Sequence, residues 1–156
     1  MRNLQREVLG ALLPLKGSSR TQETLPKRFP APGFETIDTE GNLVSLAGYH
    51  DTNVLLIFAS PTCNACQAIY PTLKEFSDDH PEVEIILLSN GDDDQNKGLV
   101  LDYGYEFPVA LLTKELSDSY LISTVPFAYL IDDNGLIVSG SIFSKYSQLG
   151  ELLDSK

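Results

Sequence analysis

Tryptophan is absent from the 156 residues, methionine occurs once and cysteine only twice. Two cysteines cannot build the disulfide framework on which small secreted scaffolds rely. Long hydrophobic runs are missing too: the longest uninterrupted one is Val54 to Ala59, whereas a bilayer span needs roughly 18 such residues. Leu4 to Leu15 is broken by Gln5, Arg6, Glu7 and Pro14, so it does not read as a signal peptide. There is no internal repeat and no low-complexity tract. Positive charge is scarce, with 11 lysines and arginines against 22 acids and a net charge of −11. Six of the basic residues fall within 1–28 against two acids, a local balance of +4; residues 29–156 carry five lysines against twenty acids, a balance of −15. An acidic body repels a phosphate backbone, so nucleic acid is excluded as a partner.

What is present suits a soluble globular domain: 42% hydrophobic and 21% charged residues, on a chain long enough to bury one core. Residues 1–28 read as a basic lead segment and linker. Leu4, Val8, Leu12 and Leu15 stand at helical spacing, and Gly17-Ser18-Ser19 with Pro26, Pro30 and Pro32 read as linker punctuation after that stripe. Residues 29–156 read as the domain. Phe34–Ile37 and Leu43–Leu46 alternate apolar with polar around Asp38-Thr39-Glu40-Gly41-Asn42, which predicts a hairpin. Val54–Ala59 and Val83–Leu88 predict central strands buried on both faces. Between them a helix is expected over 63–77, with Cys66, Ile69, Tyr70, Leu73 and Phe76 on one face. A helix over 95–103 can be capped by Asp92-Asp93-Asp94. A short strand at 109–112 and a helical stretch at 114–122 come next. Strands at 127–131 and 136–141 flank Asp132-Asp133-Asn134-Gly135, a hairpin turn, and a helix over 146–153 closes the chain. A strand–helix–strand crossover followed by an antiparallel hairpin implies an α/β fold with a mixed central sheet and helices on both faces.

The chemistry concentrates at Cys63 and Cys66. The pair comes directly after a buried strand and opens a helix, where unpaired backbone N–H groups and the helix dipole favour a thiolate on Cys63. Cys66, one turn further in, faces the core and is placed to attack a mixed disulfide on Cys63. A bridge between residues this close constrains the unfolded chain little, so redox chemistry explains the spacing better than stability does. Zinc does not fit. A structural site wants four ligands, and the sequence offers only His50 and His80 beside one cysteine pair. No cofactor and no metal are expected.

Ala31-Pro32-Gly33-Phe34, the 38–46 hairpin, the run from Leu55 through Ser60-Pro61-Thr62-Cys63-Asn64-Ala65-Cys66, Pro71, Val125-Pro126 and Leu130-Ile131-Asp132 with Gly135 together resemble the TlpA/ResA-like branch of the thioredoxin superfamily. Ser-Pro-Thr-Cys-x-x-Cys is most similar to the MauD-like proteins, accessory factors of methylamine dehydrogenase maturation. The resemblance covers roughly 30–156. It implies a thioredoxin-like fold with an N-terminal β-hairpin extension, and a thiol–disulfide oxidoreductase that reduces or isomerises protein disulfides. Cys63 and Cys66 would be catalytic, and Thr62, Val125 and a cis Pro126 would hold an extended substrate strand. Pro71, inside the first helix, is expected as a kink. The implied partners are a protein disulfide or dithiol and a membrane dithiol electron donor. The implied location is extracytoplasmic and membrane-tethered, with the anchor absent from this chain and residues 1–28 able to touch a membrane surface; the alternative is cytoplasmic. The chain departs from the pattern at Thr62, where tryptophan is common, at Ile57, where thioredoxin has a buried acid, and at Gln67, where lysine is frequent.

Two rival readings share the fold. A thiol peroxidase of the AhpC/TSA type needs a hydroxyl three residues before its cysteine, and Ser60 fits. It also needs an arginine beside the thiolate, yet every arginine lies at or before position 28, and Leu56 stands where proline is expected. A copper-binding module would need a histidine downstream of the pair. His80 is the only one, and Asp78-Asp79-His80-Pro81 reads as a solvated turn.

Overall fold

The computed structural model describes residues 23–155, so the stripe Leu4, Val8, Leu12 and Leu15 lies outside the described residues. The elements begin with β1 (Glu35–Ile37), β2 (Leu43–Ser45), a 3-10 turn (Leu46–Tyr49), β3 (Asn53–Ala59), α1 (Asn64–Asp79) and β4 (Val83–Ser89). They continue with α2 (Asp93–Tyr103), β5 (Val109–Leu111), α3 (Lys114–Ser119), β6 (Phe127–Ile131), β7 (Ile137–Ile142) and α4 (Tyr146–Asp154).

The continuous apolar run becomes the middle of a five-stranded sheet of order β5-β4-β3-β6-β7. β3 runs parallel to β4 and antiparallel to β6, in the registers Ile57–Leu87 and Ile57–Ala128. Side chains alternate faces along a strand, and here both faces are covered. Leu55, Ile57 and Ala59 pack with Cys66, Ile69, Tyr70, Leu73 and Phe76 of α1 and with Leu149 and Leu152 of α4. Val54, Leu56 and Phe58 pack with Leu116 of α3, Tyr120, Tyr129 and Val44 of the hairpin. That is why β3 reads as unbroken apolar sequence instead of alternating. The mixed sheet, the helices on both faces and the N-terminal hairpin agree with the expected thioredoxin-like architecture.

The small β1–β2 sheet lies against the edge of the large one. Thr36 Oγ1 donates to the Leu111 carbonyl at 2.7 Å, and Asp38 bridges Ala110. This covers the β5 edge, which would otherwise expose unpaired backbone groups.

The stretch just before residue 29 is more than a linker. Leu25 is buried, and its N–H donates to the Tyr129 hydroxyl at 3.1 Å. Arg28 N–H donates to Ile137 O at 2.8 Å, Ile137 N–H to Phe29 O at 2.9 Å, and Pro30 pairs with Leu136. Gly140 makes room for this: a Cβ there would come within 2.6 Å of the Tyr129 ring and 3.0 Å of the Thr24 methyl. Burying a leucine contributes roughly 1.5–3 kcal/mol, so Leu25 adds to the core although it precedes residue 29. Leu25 is one apolar residue among polar and proline neighbours, and its burial comes from a distant strand edge that local periodicity does not register.

Candidate active site

The turn between β3 and α1 is held by its own backbone. Cys63 N–H donates to Ser60 O at 3.1 Å, and Gln67 Nε2 donates to the Pro61 carbonyl at 2.7 Å. Ser60 is buried, and its hydroxyl meets Thr62 Oγ1 at 3.1 Å. From the other side, Gly91 approaches so closely that a Cβ there would stand 2.6 Å from Pro61 Cγ. The loop ahead of the cysteines is therefore fixed on two sides.

Cys63 is the N-cap residue of α1, with φ −91° and ψ 122°. Its sulfur accepts from the Cys66 N–H at 3.2 Å, the position that a serine or aspartate oxygen usually takes. No acidic residue lies in the first turn of α1, so the positive end of the helix is directed at sulfur alone. The Cys63 thiol also lies 3.7 Å from the Val125 carbonyl. Both cysteines are free thiols; Cys63 is half-buried and Cys66 is fully buried.

That difference in exposure separates the two sulfurs chemically. Burial pushes the Cys66 thiol up to about 12, with the contact to Cys63 adding to the rise and a backbone contact from Ser60 opposing it. Cys66 is thus held as a neutral thiol, sealed from solvent beneath an accessible partner. The expected pair and Val125 come together at one point, and Pro126, buried at the start of β6, follows the Val125–Pro126 peptide, which is cis. Thr62 is exposed and its side chain is turned toward Ser60.

Three residues at the site escape sequence reasoning. Gln67 registers there only as a departure from a family pattern, yet it ties down the Pro61 carbonyl. Gly91 carries one usable signal, a glycine directly ahead of a helix cap. Tyr70 reads as core, and nothing in the apolar period reveals that its hydroxyl finds no hydrogen-bond partner among the described residues.

Distances along the fold bear on both rivals. Arg28 pairs with Ile137, which pairs with Ile131 at the far end of β6 from Val125; six strand residues span roughly 20 Å. His80 caps the opposite end of α1 from Cys63, roughly 24 Å away along the helix, and its ring meets Glu82 at 3.2 Å. Among the described residues, no three His, Cys, Asp or Glu side chains gather as a metal site, and no helix is long and apolar enough to cross a membrane.

The AhpC/TSA family matches residues 28–139. The methylamine utilization protein MauD of Paracoccus versutus is 22% identical over 125 residues, 80% of this chain and 63% of that protein. The thiol-disulfide oxidoreductase ResA of Bacillus subtilis is 28% identical over 123 residues, 75% of this chain and 68% of that protein. The chain thus spans somewhat under two thirds of the MauD relatives it matches. Among solved structures, a putative thiol:disulfide interchange protein DsbE from Chlorobium tepidum superposes with a TM-score of 0.75 at 19% identity, covering 85% of this chain and 96% of that one. The thioredoxin domain of a thiol-disulfide oxidoreductase from Bacteroides vulgatus gives 0.72 at 24% identity, covering 82% and 98%.

Proposed function

This chain belongs to the AhpC/TSA family, and within it we propose a redox activity: reduction or isomerisation of protein disulfides through Cys63 and Cys66. The observation that carries the reading is the asymmetry of the pair, a half-buried sulfur capping α1 above a fully buried one. The Cys63 thiolate attacks a substrate disulfide, and a mixed disulfide forms as the first substrate thiolate leaves. Cys66 then loses its proton and attacks the Cys63 sulfur. The Cys63–Cys66 bond forms, and the second substrate thiolate leaves and takes up a proton. Val125, Pro126 and Thr62 would line the approach, with the Val125 carbonyl 3.7 Å from the attacking sulfur. The similarity to the thiol-disulfide oxidoreductase ResA supports a thiol–disulfide reaction. Peroxide reduction would need a cation beside Cys63, and Arg28 lies at the other end of β6. An extracytoplasmic location with a membrane-held dithiol donor belongs to the same reading.

The test is insulin reduction with a dithiol donor, followed by trapping. Wild type should turn over, Cys63→Ser should be inactive, and Cys66→Ser should accumulate a mixed disulfide on Cys63 visible by mass. An adduct on Cys63→Ser but none on Cys66→Ser would reverse the roles, and a wild type without turnover would remove the reading.

A further inference from the structure

Tyr70 sits one helical turn after Cys66 on the same buried face of α1, and both side chains are fully buried. Helical side chains lean back toward the N-terminus, so the Tyr70 ring covers the turn that carries Cys66. The ring is packed, with Tyr103 at 5.7 Å. Its hydroxyl is not satisfied: among the described residues Tyr70 Oη has no hydrogen-bond partner. The nearby Tyr105 hydroxyl is committed elsewhere, donating to the Tyr70 backbone carbonyl at 2.6 Å. A buried hydroxyl without a partner costs about 1–3 kcal/mol, and phenylalanine would supply the same packing without that cost. The oxygen therefore calls for a reason.

Cys66 supplies one. It must ionise to act, yet among the described residues the only buried polar side chains outside the tyrosines are Thr36, Ser60, Ser89 and Asn96, with no carboxylate and no histidine. We propose that Tyr70 is a positioning residue for the resolving step: as Cys66 ionises, the phenol O–H turns onto its sulfur and holds the thiolate for attack on the Cys63 mixed disulfide. The inference rests on the dithiol reading above. Tyr70 keeps its own proton throughout; it donates a hydrogen bond, and the Cys66 proton leaves with the departing thiol. Burial raises the phenol well above its ordinary value, and a thiolate on Cys66 raises it further, so Tyr70 stays protonated when Cys66 ionises.

Reaction of the reduced chain with one equivalent of 5,5′-dithiobis(2-nitrobenzoate) separates the two steps. Attack by Cys63 releases a first nitrothiobenzoate, and attack by Cys66 on the mixed disulfide releases a second. Tyr70→Phe should leave the first phase within twofold of wild type and slow the second about tenfold, the loss expected when a hydrogen bond to an ionising group is removed. Its melting temperature should equal or exceed that of wild type, because the lost oxygen had no partner. An unchanged second phase, or equal slowing of both phases, overturns the role of Tyr70. A wild type with no second phase overturns the dithiol couple itself, which tells the two failures apart.

Discussion

Two helices begin at the same end of the sheet, each following one of a pair of parallel strands, and they are capped by different chemistry. At α2 the Asp92 carboxylate accepts from Gln95 N–H at 2.8 Å, the Gln95 side chain accepts from Asp92 N–H at 2.9 Å, and Asp93 and Asp94 fill the first turn. At α1 a thiol sulfur accepts at 3.2 Å, and no acid follows. The α2 start satisfies its N–H groups and its dipole with carboxylates. The α1 start leaves its dipole to a weaker acceptor that can change its charge and its bonding. One end is built for stability and the other for reaction, although Gly91 packs them against each other at Pro61.

The largest break in this comparison comes from giving α1 an ordinary cap. The Cys63→Ser variant that should lose all disulfide turnover should also be more stable than the reduced wild type, by about 0.5–1 kcal/mol, because serine is a better N-cap acceptor than a thiol. Denaturant unfolding of the two reduced proteins measures this. Equal stability or a loss would mean that the sulfur cap costs the fold nothing.

Alkaline pH sharpens the comparison through the buried thiol of Cys66. Its thiol is raised from an ordinary value of 9.0 to about 12, so above pH 9 the unfolded chain releases this proton while the folded chain keeps it. The contribution of Cys66 to the stability of the dithiol protein is therefore fully present below pH 9 and is lost as pH climbs toward 12, by of order 1 kcal/mol per pH unit. The disulfide form has no such thiol. The raised tyrosines, Tyr70, Tyr105 and Tyr120 among them, titrate in both forms and largely cancel. The melting temperature of the dithiol minus that of the disulfide form should fall between pH 8 and pH 10.5. A constant difference would mean that Cys66 is not held as a buried neutral thiol.

Most of this architecture is legible in the sequence because its signals are local. The buried face of α1 is readable from a 3.6-residue period, β3 from six consecutive apolar residues, and the reactive pair from its place between them. The residues that sequence reasoning misses work across long separations. Leu25 docks on Tyr129, 104 residues away, and Gly91 touches Pro61 from the end of a neighbouring strand. Neither contact leaves a periodic trace. Tyr70 escapes for another reason: a hydropathy pattern reads its ring, which is core, and cannot read whether its oxygen has a partner.

The smallest effect tests whether the two helix starts are independent. Asp92 sits at φ −73° and ψ 177° with its carboxylate on Gln95 N–H, and it touches neither cysteine in any hydrogen bond of the structure. Asp92→Ala removes one side of the reciprocal cap, while Asp93 and Asp94 still answer the dipole. The cost should be that of a lost cap alone, about 1 kcal/mol, or about 2–4 °C in melting temperature for a domain of this size. Asp92→Asn should restore most of it, because asparagine caps as well as aspartate. Insulin reduction by Asp92→Ala should stay within twofold of wild type, measured below the melting transition. A parallel fall in activity would mean that loosening the α2 start moves Gly91 and, through the contact at Pro61, the Cys63 loop. The close packing of Gly91 on Pro61, which leaves no room for a Cβ, would then transmit the change between two caps that otherwise differ in every chemical respect.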